Sequence, residues 1–213
     1  MRIIDCVQKS PEWYAARCGK VTASRIADLM AKTKTGWGAS RANYMAELVA
    51  ERLTGTVAES YVNAAMEHGT KTEPEARAAY QFFIGADVEE VGFVLHPIID
   101  DSGCSPDGLI GKDGMIEIKC PNTGTHIETL LGSGTPDKYI KQIQWQMRCC
   151  HRTWCDFVSY DPRLPTRMQL FTQRIPRDDV MIAEIEQEVL AFLKEVEAKV
   201  SALTTKYGEA KAA

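Results

Sequence analysis

From Cys104 to Pro121 the chain reads Cys-Ser-Pro-Asp107-Gly-Leu-Ile-Gly-Lys-Asp-Gly-Met-Ile-Glu117-Ile-Lys119-Cys-Pro, and no other stretch constrains the fold as much. Pro106 and Gly108 place Asp107 in a turn, and residues 115–120 have the apolar character of a strand. Residues two apart on a strand leave the same face, so Glu117 and Lys119 point together. Asp113-Gly114 is a hairpin signal between a short strand at 108–110 and the strand that follows. Closing that hairpin returns Asp107 to the side of Glu117. Two carboxylates and one ammonium on an otherwise apolar element are costly to bury unpaired. Two arrangements answer that cost. One is an Asp/Glu–Lys ion pair on a solvated hairpin. The other is a divalent cation, for which oxygen-only ligands favour Mg2+ or Mn2+. Beside such a cation Lys119 would hold a water and offset charge developing on a phosphate.

The rest of the chain surrounds this hairpin with alternating helical and extended patterns. Ser10 at an N-cap and Pro11 at the first helical position predict a helix start. A second helix is expected over 21–30, with Ile26, Leu29 and Met30 on one face, then a mobile loop over 33–40 and a helix over 40–54 ending at Gly55. A longer helical pattern over 63–84 is expected to break near Gly69. Within it Ala76, Ala79, Tyr80 and Phe83 are at helical spacing and Pro74 falls in a first turn. Strands are expected at 88–95, 108–110, 115–120, 154–160 and 168–175, and helices at 123–131, 137–150 and 178–207. The fold class is therefore α+β (mixed α/β), expected as one domain over 1–213.

Composition narrows the function classes. No apolar run reaches the length of a membrane helix, and the start lacks a signal-peptide pattern, so a cytoplasmic protein is expected. Seven cysteines without a CxxC pair argue against a disulfide framework and the common zinc spacings. Cys149-Cys150-His151 with Cys155 is the one cluster to weigh as a metal site, and buried reduced thiols account for it better. The net charge of −4 hides a pattern: residues 1–60 carry +3, 61–137 carry −9, 138–177 carry +6 and 178–213 carry −4. An acidic middle between basic flanks suits a cation-binding centre with anion-binding walls.

Asp107 followed by Glu117-x-Lys119 resembles the PD-(D/E)xK nuclease signature. Further blocks resemble one branch of that superfamily, the phage lambda exonuclease or YqaJ-type viral recombinase family. They are Trp13-x-x-x-Arg17-x-Gly19-x-x-Thr22-Ala23-Ser24, Gly69-x-x-x-Glu73-x-x-Ala76-Arg77, Cys104-Ser-Pro-Asp-Gly-Leu109, Glu117-x-Lys119-Cys120-Pro121, Tyr139-x-x-Gln142-x-Gln144-x-x-Met147 and Tyr160-Asp161-Pro162-Arg163. The blocks occur in the family's order over 13–163.

The resemblance implies a restriction-endonuclease-like core, a central mixed β-sheet flanked by helices. Asp107, Glu117, the main-chain carbonyl of Ile118 and Glu73 would bind Mg2+, with Mn2+ as a substitute. Lys119 would orient the attacking water, and Gln142 would sit beside the metal. Gln146, one turn on, shares the helix face of Gln142, whereas Gln144 does not. Arg17, Ser24 and Ser105 would receive the 5′ phosphate of a DNA end, with Trp13, Lys34 and Tyr139 at the DNA. From the residues alone, a first-turn glutamate, a helix arginine, a serine cap and surface glutamines remain open alternatives.

The activity implied is 5′-to-3′ exonuclease digestion of linear double-stranded DNA, releasing mononucleotides and leaving a 3′ single strand for recombination. Members of the family assemble as a homotrimeric ring and partner a phage single-strand annealing protein, so a phage or prophage origin is expected. The alternatives are a structure- or sequence-specific endonuclease of the same fold and a non-catalytic DNA-binding module. Against a pure binder stands the full set of Glu73, Asp107, Glu117 and Lys119.

Overall fold

A computed structural model describes residues 1–57 and 64–208, with side chains given for all of these except 64–66. In chain order the elements begin with β1 (Arg2–Ile4), α1 (Pro11–Arg17), β2 (Val21–Thr22), a 3-10 turn at Ala23–Arg25 and α2 (Ile26–Leu29). There follow β3 (Lys32–Thr33), β4 (Gly36–Trp37), α3 (Ala39–Thr54), α4 (Ala64–Ile84), β5 (Phe93–Leu95) and β6 (Ser102–Cys104). The hairpin is β7 (Gly108–Ile110) and β8 (Gly114–Lys119), succeeded by α5 (Thr123–Glu128), α6 (Asp137–Cys150), β9 (Trp154–Tyr160), β10 (Leu170–Pro176) and α7 (Asp179–Tyr207).

The helix ends follow local chemistry. Ser10 Oγ accepts the Trp13 N–H at the start of α1, with Pro11 in the first turn. Asp178 accepts the Val180 and Met181 N–H groups at the start of α7. Gly55 closes α3 with a left-handed φ of 69°.

The strands form two four-stranded mixed sheets, ordered β1-β5-β6-β2 and β10-β9-β8-β7, plus the β3-β4 hairpin. An isolated bridge, Glu89 to Leu109, joins the approach to β5 with β7. The expected mixed α/β class is thus observed, with its strands divided between two sheets. β8 runs antiparallel to β7 and parallel to β9, so it is interior to its sheet. Its two faces enter two cores. Met115 packs into the larger cluster, with Trp145 of α6, Tyr44 of α3 and Phe192 of α7. Ile116 and Ile118 pack with Ala76 and Tyr80 of α4. Glu117 therefore leaves β8 on the side of the larger core. No helix among the described residues is long and apolar enough to cross a membrane.

Several expectations are corrected. The 21–30 segment begins as strand, because Val21 and Thr22 pair in parallel with Ser102 and Gly103 before the helix can start. The 33–40 loop holds the β3-β4 hairpin. The 63–84 helix does not break: from Ala64 it runs through Gly69 and Pro74 to Ile84, while residue 63 lies outside the described residues. An internal proline costs about 3 kcal/mol, and fully burying Ala76 and Tyr80 offsets it. The apolar stripe ends at Tyr80, since Phe83 is exposed. The strand expected at 88–95 contracts to Phe93–Leu95 and the Glu89 bridge. The hairpin turns at 111–113, with the left-handed φ at Gly111 rather than Gly114. Gly114 is needed for a different reason: a Cβ there would lie 2.2 Å from the Trp154 ring.

Candidate active site

Glu117 lies mid-strand on β8 and is 1% exposed. Its Oε1 accepts from Gln142 Nε2 at 2.6 Å and from the Lys119 ammonium. Its Oε2 accepts from Gln146 Nε2 at 2.7 Å. The two glutamines stand one turn apart on α6, so a single helix face holds both carboxylate oxygens. Gln144 points elsewhere, donating to the Pro176 carbonyl and accepting the Asp178 N–H. Gln146 was legible only as a face-mate of Gln142; its hold on Glu117 is a product of the fold.

Asp107 returns beside β8 as the hairpin requires, and its Oδ2 accepts the Ile118 N–H at 2.6 Å. Burial and the nearby Glu117 push the Asp107 carboxyl well above its ordinary range, with Lys119 opposing and Glu73 adding to the rise. Burial alone would lower the Lys119 ammonium, but Glu117 and Asp107 outweigh it and the net shift is upward. Lys119 Nζ also lies 5.0 Å from the centre of the Tyr139 ring, which stacks on Phe157.

Glu73 reaches this centre from α4. It accepts from Arg77 at 3.0 Å and from Lys9 at 3.2 Å. Arg77 also donates to the Asp107 carbonyl and pairs with Glu90, tying the Asp107 turn to α4. Its i,i+4 spacing from Glu73 was a readable signal, whereas nothing in the local pattern pointed to Lys9. Among the described residues no three acidic, His or Cys groups already converge on a common point. The donors nonetheless fit a hard divalent cation. Asp107 and Glu117 would offer carboxylate oxygens, and burial together with the repulsion of Glu117 raises Asp107, a cost that a dication would relieve.

A cavity of about 710 Å³ opens on the neighbouring face, lined by Arg17, Ser24, Lys20, Lys71, Trp13 and Lys9 among others, and its cations outnumber the glutamates Glu47, Glu51 and Glu67 that also reach it. The Arg17 guanidinium stacks 4.1 Å from the Trp13 ring centre and forms no ion pair among the described residues. Burial pulls its pKa downward. Trp13 Nε1 donates to Ser105 Oγ at 2.7 Å, joining the cavity wall to the loop that precedes Asp107. Ser24 is exposed on the 3-10 turn, with its Oγ 3.4 Å from Thr22 Oγ1.

The structure thus gathers Asp107, Glu117, Lys119 and Gln142 in one centre, to which Glu73 is joined through Arg77, and Arg17, Ser24 and Trp13 at one cavity, with Ser105 held between them. Lys34 falls outside both groups, exposed in the β3-β4 turn. Cys104, Cys149, Cys150 and Cys155 are buried free thiols. Burial pushes the Cys104 and Cys155 thiols up, as inert core residues require.

A YqaJ-like viral recombinase domain profile matches residues 12–153. The chain is similar to LHK-Exo, solved in complex with dAMP, at 59% identity and a TM-score of 0.87, covering 92% of this chain and 97% of that one. A second structure of that protein, an alkaline exonuclease (LHK-Exo) from Laribacter hongkongensis, matches at 58% identity and a TM-score of 0.86, with the same coverage. A phage related exonuclease from Haemophilus somnus 129PT, 18% identical with a TM-score of 0.69 over 86% of this chain and 96% of its own, shares the fold. No curated protein matches the chain.

Proposed function

This chain belongs to the YqaJ-like viral recombinase family, and on that premise we propose that it is a Mg2+-dependent exonuclease acting 5′ to 3′ on linear double-stranded DNA. The observation that carries the reading is the pairing of a buried carboxylate–lysine centre with an open cationic cavity, bridged by the Trp13–Ser105 hydrogen bond. Asp107 and Glu117 would hold the cation, with Glu73 and the Ile118 carbonyl as further ligands. When bound, the cation supplies Lewis-acid activation of a water and of the scissile phosphate.

The protein's own groups do the rest. Gln142 and Gln146 hold the Glu117 carboxylate, which keeps its oxygens aimed without rotation. Lys119 orients the water that attacks phosphorus. Arg17 and Ser24 grip the terminal 5′ phosphate, and that grip sets polarity and register by placing the next phosphodiester at the carboxylates. The bond to the 3′ oxygen of the terminal nucleotide breaks, leaving a new 5′ phosphate on the following one. That the Laribacter hongkongensis relative was solved with dAMP supports a mononucleotide product. The 3′ single strand left behind would feed recombination by a phage-type annealing protein, with a homotrimeric ring retaining a net-acidic enzyme on DNA by topology.

The test is digestion of a linear duplex phosphorylated at the 5′ end of one strand only, in Mg2+ and in EDTA. Mg2+-dependent loss of that strand from its 5′ end supports the reading. Equal digestion of covalently closed circles would replace it with an endonuclease. Binding without digestion in Mg2+ or Mn2+ would leave a DNA-binding module.

A further inference from the structure

Lys9 combines three features that local structure alone does not explain. Its backbone φ is +71°, a left-handed conformation that glycine adopts freely and a lysine side chain disfavours. It precedes the Ser10 cap of α1, so the strain fixes the direction in which the side chain leaves. Its ammonium lies 3.2 Å from Glu73, and its side chain is 44% exposed. An ion pair this open contributes little stability, too little to offset the strain of a left-handed lysine where glycine would be comfortable.

Position supplies the missing reason. Among the described contacts, Lys9 is the residue that both lines the Arg17–Ser24 cavity and touches the carboxylate centre. Arg77 holds the other Glu73 oxygen while also pairing with Glu90, so Glu73 keeps one cationic partner when Lys9 leaves. We propose that Lys9 is a substrate-positioning residue: as cation and DNA arrive, its ammonium leaves Glu73 and takes a non-bridging phosphate oxygen of the terminal nucleotide, between the 5′-end cavity and the carboxylates. This rests on the nuclease reading above for the identity of the substrate. It adds a contact which that reading does not need. The exchange is electrostatically consistent, because a cation at Asp107 and Glu117 competes with Lys9 for Glu73 while a phosphate offers the ammonium a new partner.

The test compares wild type, Lys9→Gly and Lys9→Arg, using a 5′-phosphorylated duplex with Ca2+ in place of Mg2+ for binding and Mg2+ for cleavage. Affinity is read by fluorescence anisotropy across a salt series, and stability by thermal melting. Losing one phosphate contact makes the slope of log affinity against log salt shallower by about one. Lys9→Gly is expected to show that change and at least about a fivefold rise in KM, with a melting temperature equal to or above wild type. Lys9→Arg is expected to restore the slope. A Lys9→Gly protein with unchanged slope and affinity overturns the proposal, and so does an affinity loss that tracks a falling melting temperature. A wild type that binds ends in a Lys9-dependent way without cleaving them would retire the nuclease reading and leave the contact standing.

Discussion

The carboxylate centre and the cationic cavity are adjacent, yet they treat charge in opposite ways. At the centre, Glu117 is buried with both oxygens bound, and Asp107 is locked to the Ile118 N–H. In the cavity, Arg17 lies with its face on Trp13 and forms no ion pair among the described residues. In the proposed reading, a cation would relieve the repulsion at the first site, and the second would attract an anion. The proposed nuclease would need both, joined only through Lys9 and the Trp13–Ser105 hydrogen bond among the described contacts, so that Asp107 and Glu117 do not neutralise Arg17.

The contrast is broken most sharply at Asp107. Asp107→Asn removes the proposed ligand but also a buried repulsion, so turnover should fall more than about a hundredfold while the melting temperature holds or rises; a digestion time course and a melt on one preparation check both. Lys119→Ala should lower turnover at least about tenfold and leave DNA binding intact. Unchanged turnover would make Lys119 merely the counter-ion of Glu117. On the cavity side, Arg17→Ala should cost about tenfold more on 5′-phosphorylated than on 5′-hydroxyl ends. Equal losses on the two substrates would remove the phosphate assignment.

The smallest effect concerns the support of α6, which carries both glutamines of the centre. His96, just after β5, is fully buried and stacks on Trp145 of that helix at 4.6 Å. Its Nδ1 accepts the Ile99 N–H, and its Nε2 lies 3.1 Å from Glu186 of α7. Burial pulls its pKa from 6.5 down to about 4, with Glu186 opposing and Arg148 and His151 reinforcing the drop. The unfolded chain therefore takes up a proton before the folded one does, and stability present above about pH 6.5 drains as the pH falls toward 4. Melting temperatures between pH 5 and 8 should show this slope, and His96→Asn should flatten it. Because His96 supports the carboxylate side, a mild acid loss should reach Glu117 before it reaches the cavity.

Much of this was legible in sequence because it is local. The Asp107 turn, the shared face of Glu117 and Lys119, the shared face of Gln142 and Gln146, and the Ser10 and Gly55 caps all depend on spacings of a few residues. The errors came where distant pairing outweighed local preference. Val21 and Thr22 became a strand because β6 was beside them. Gly69 and Pro74 failed to stop α4 because the sheet buried its Ala76 and Tyr80. Gly114 was read as a turn residue when its constraint is the Trp154 ring, forty positions away.

By itself, then, the sequence determined the chemistry: which side chains are acidic, basic or amide, and which pairs share a face, since backbone periodicity carries that information over short spans. Tertiary structure alone decided their relations. It set Glu117 between two glutamines of another element, laid Arg17 on Trp13, tied Ser105 to the cavity wall, and aimed a strained Lys9 at Glu73. Each of these joins residues whose separation in the chain has no bearing on their separation in space, because packing and strand pairing, rather than local spacing, bring them together.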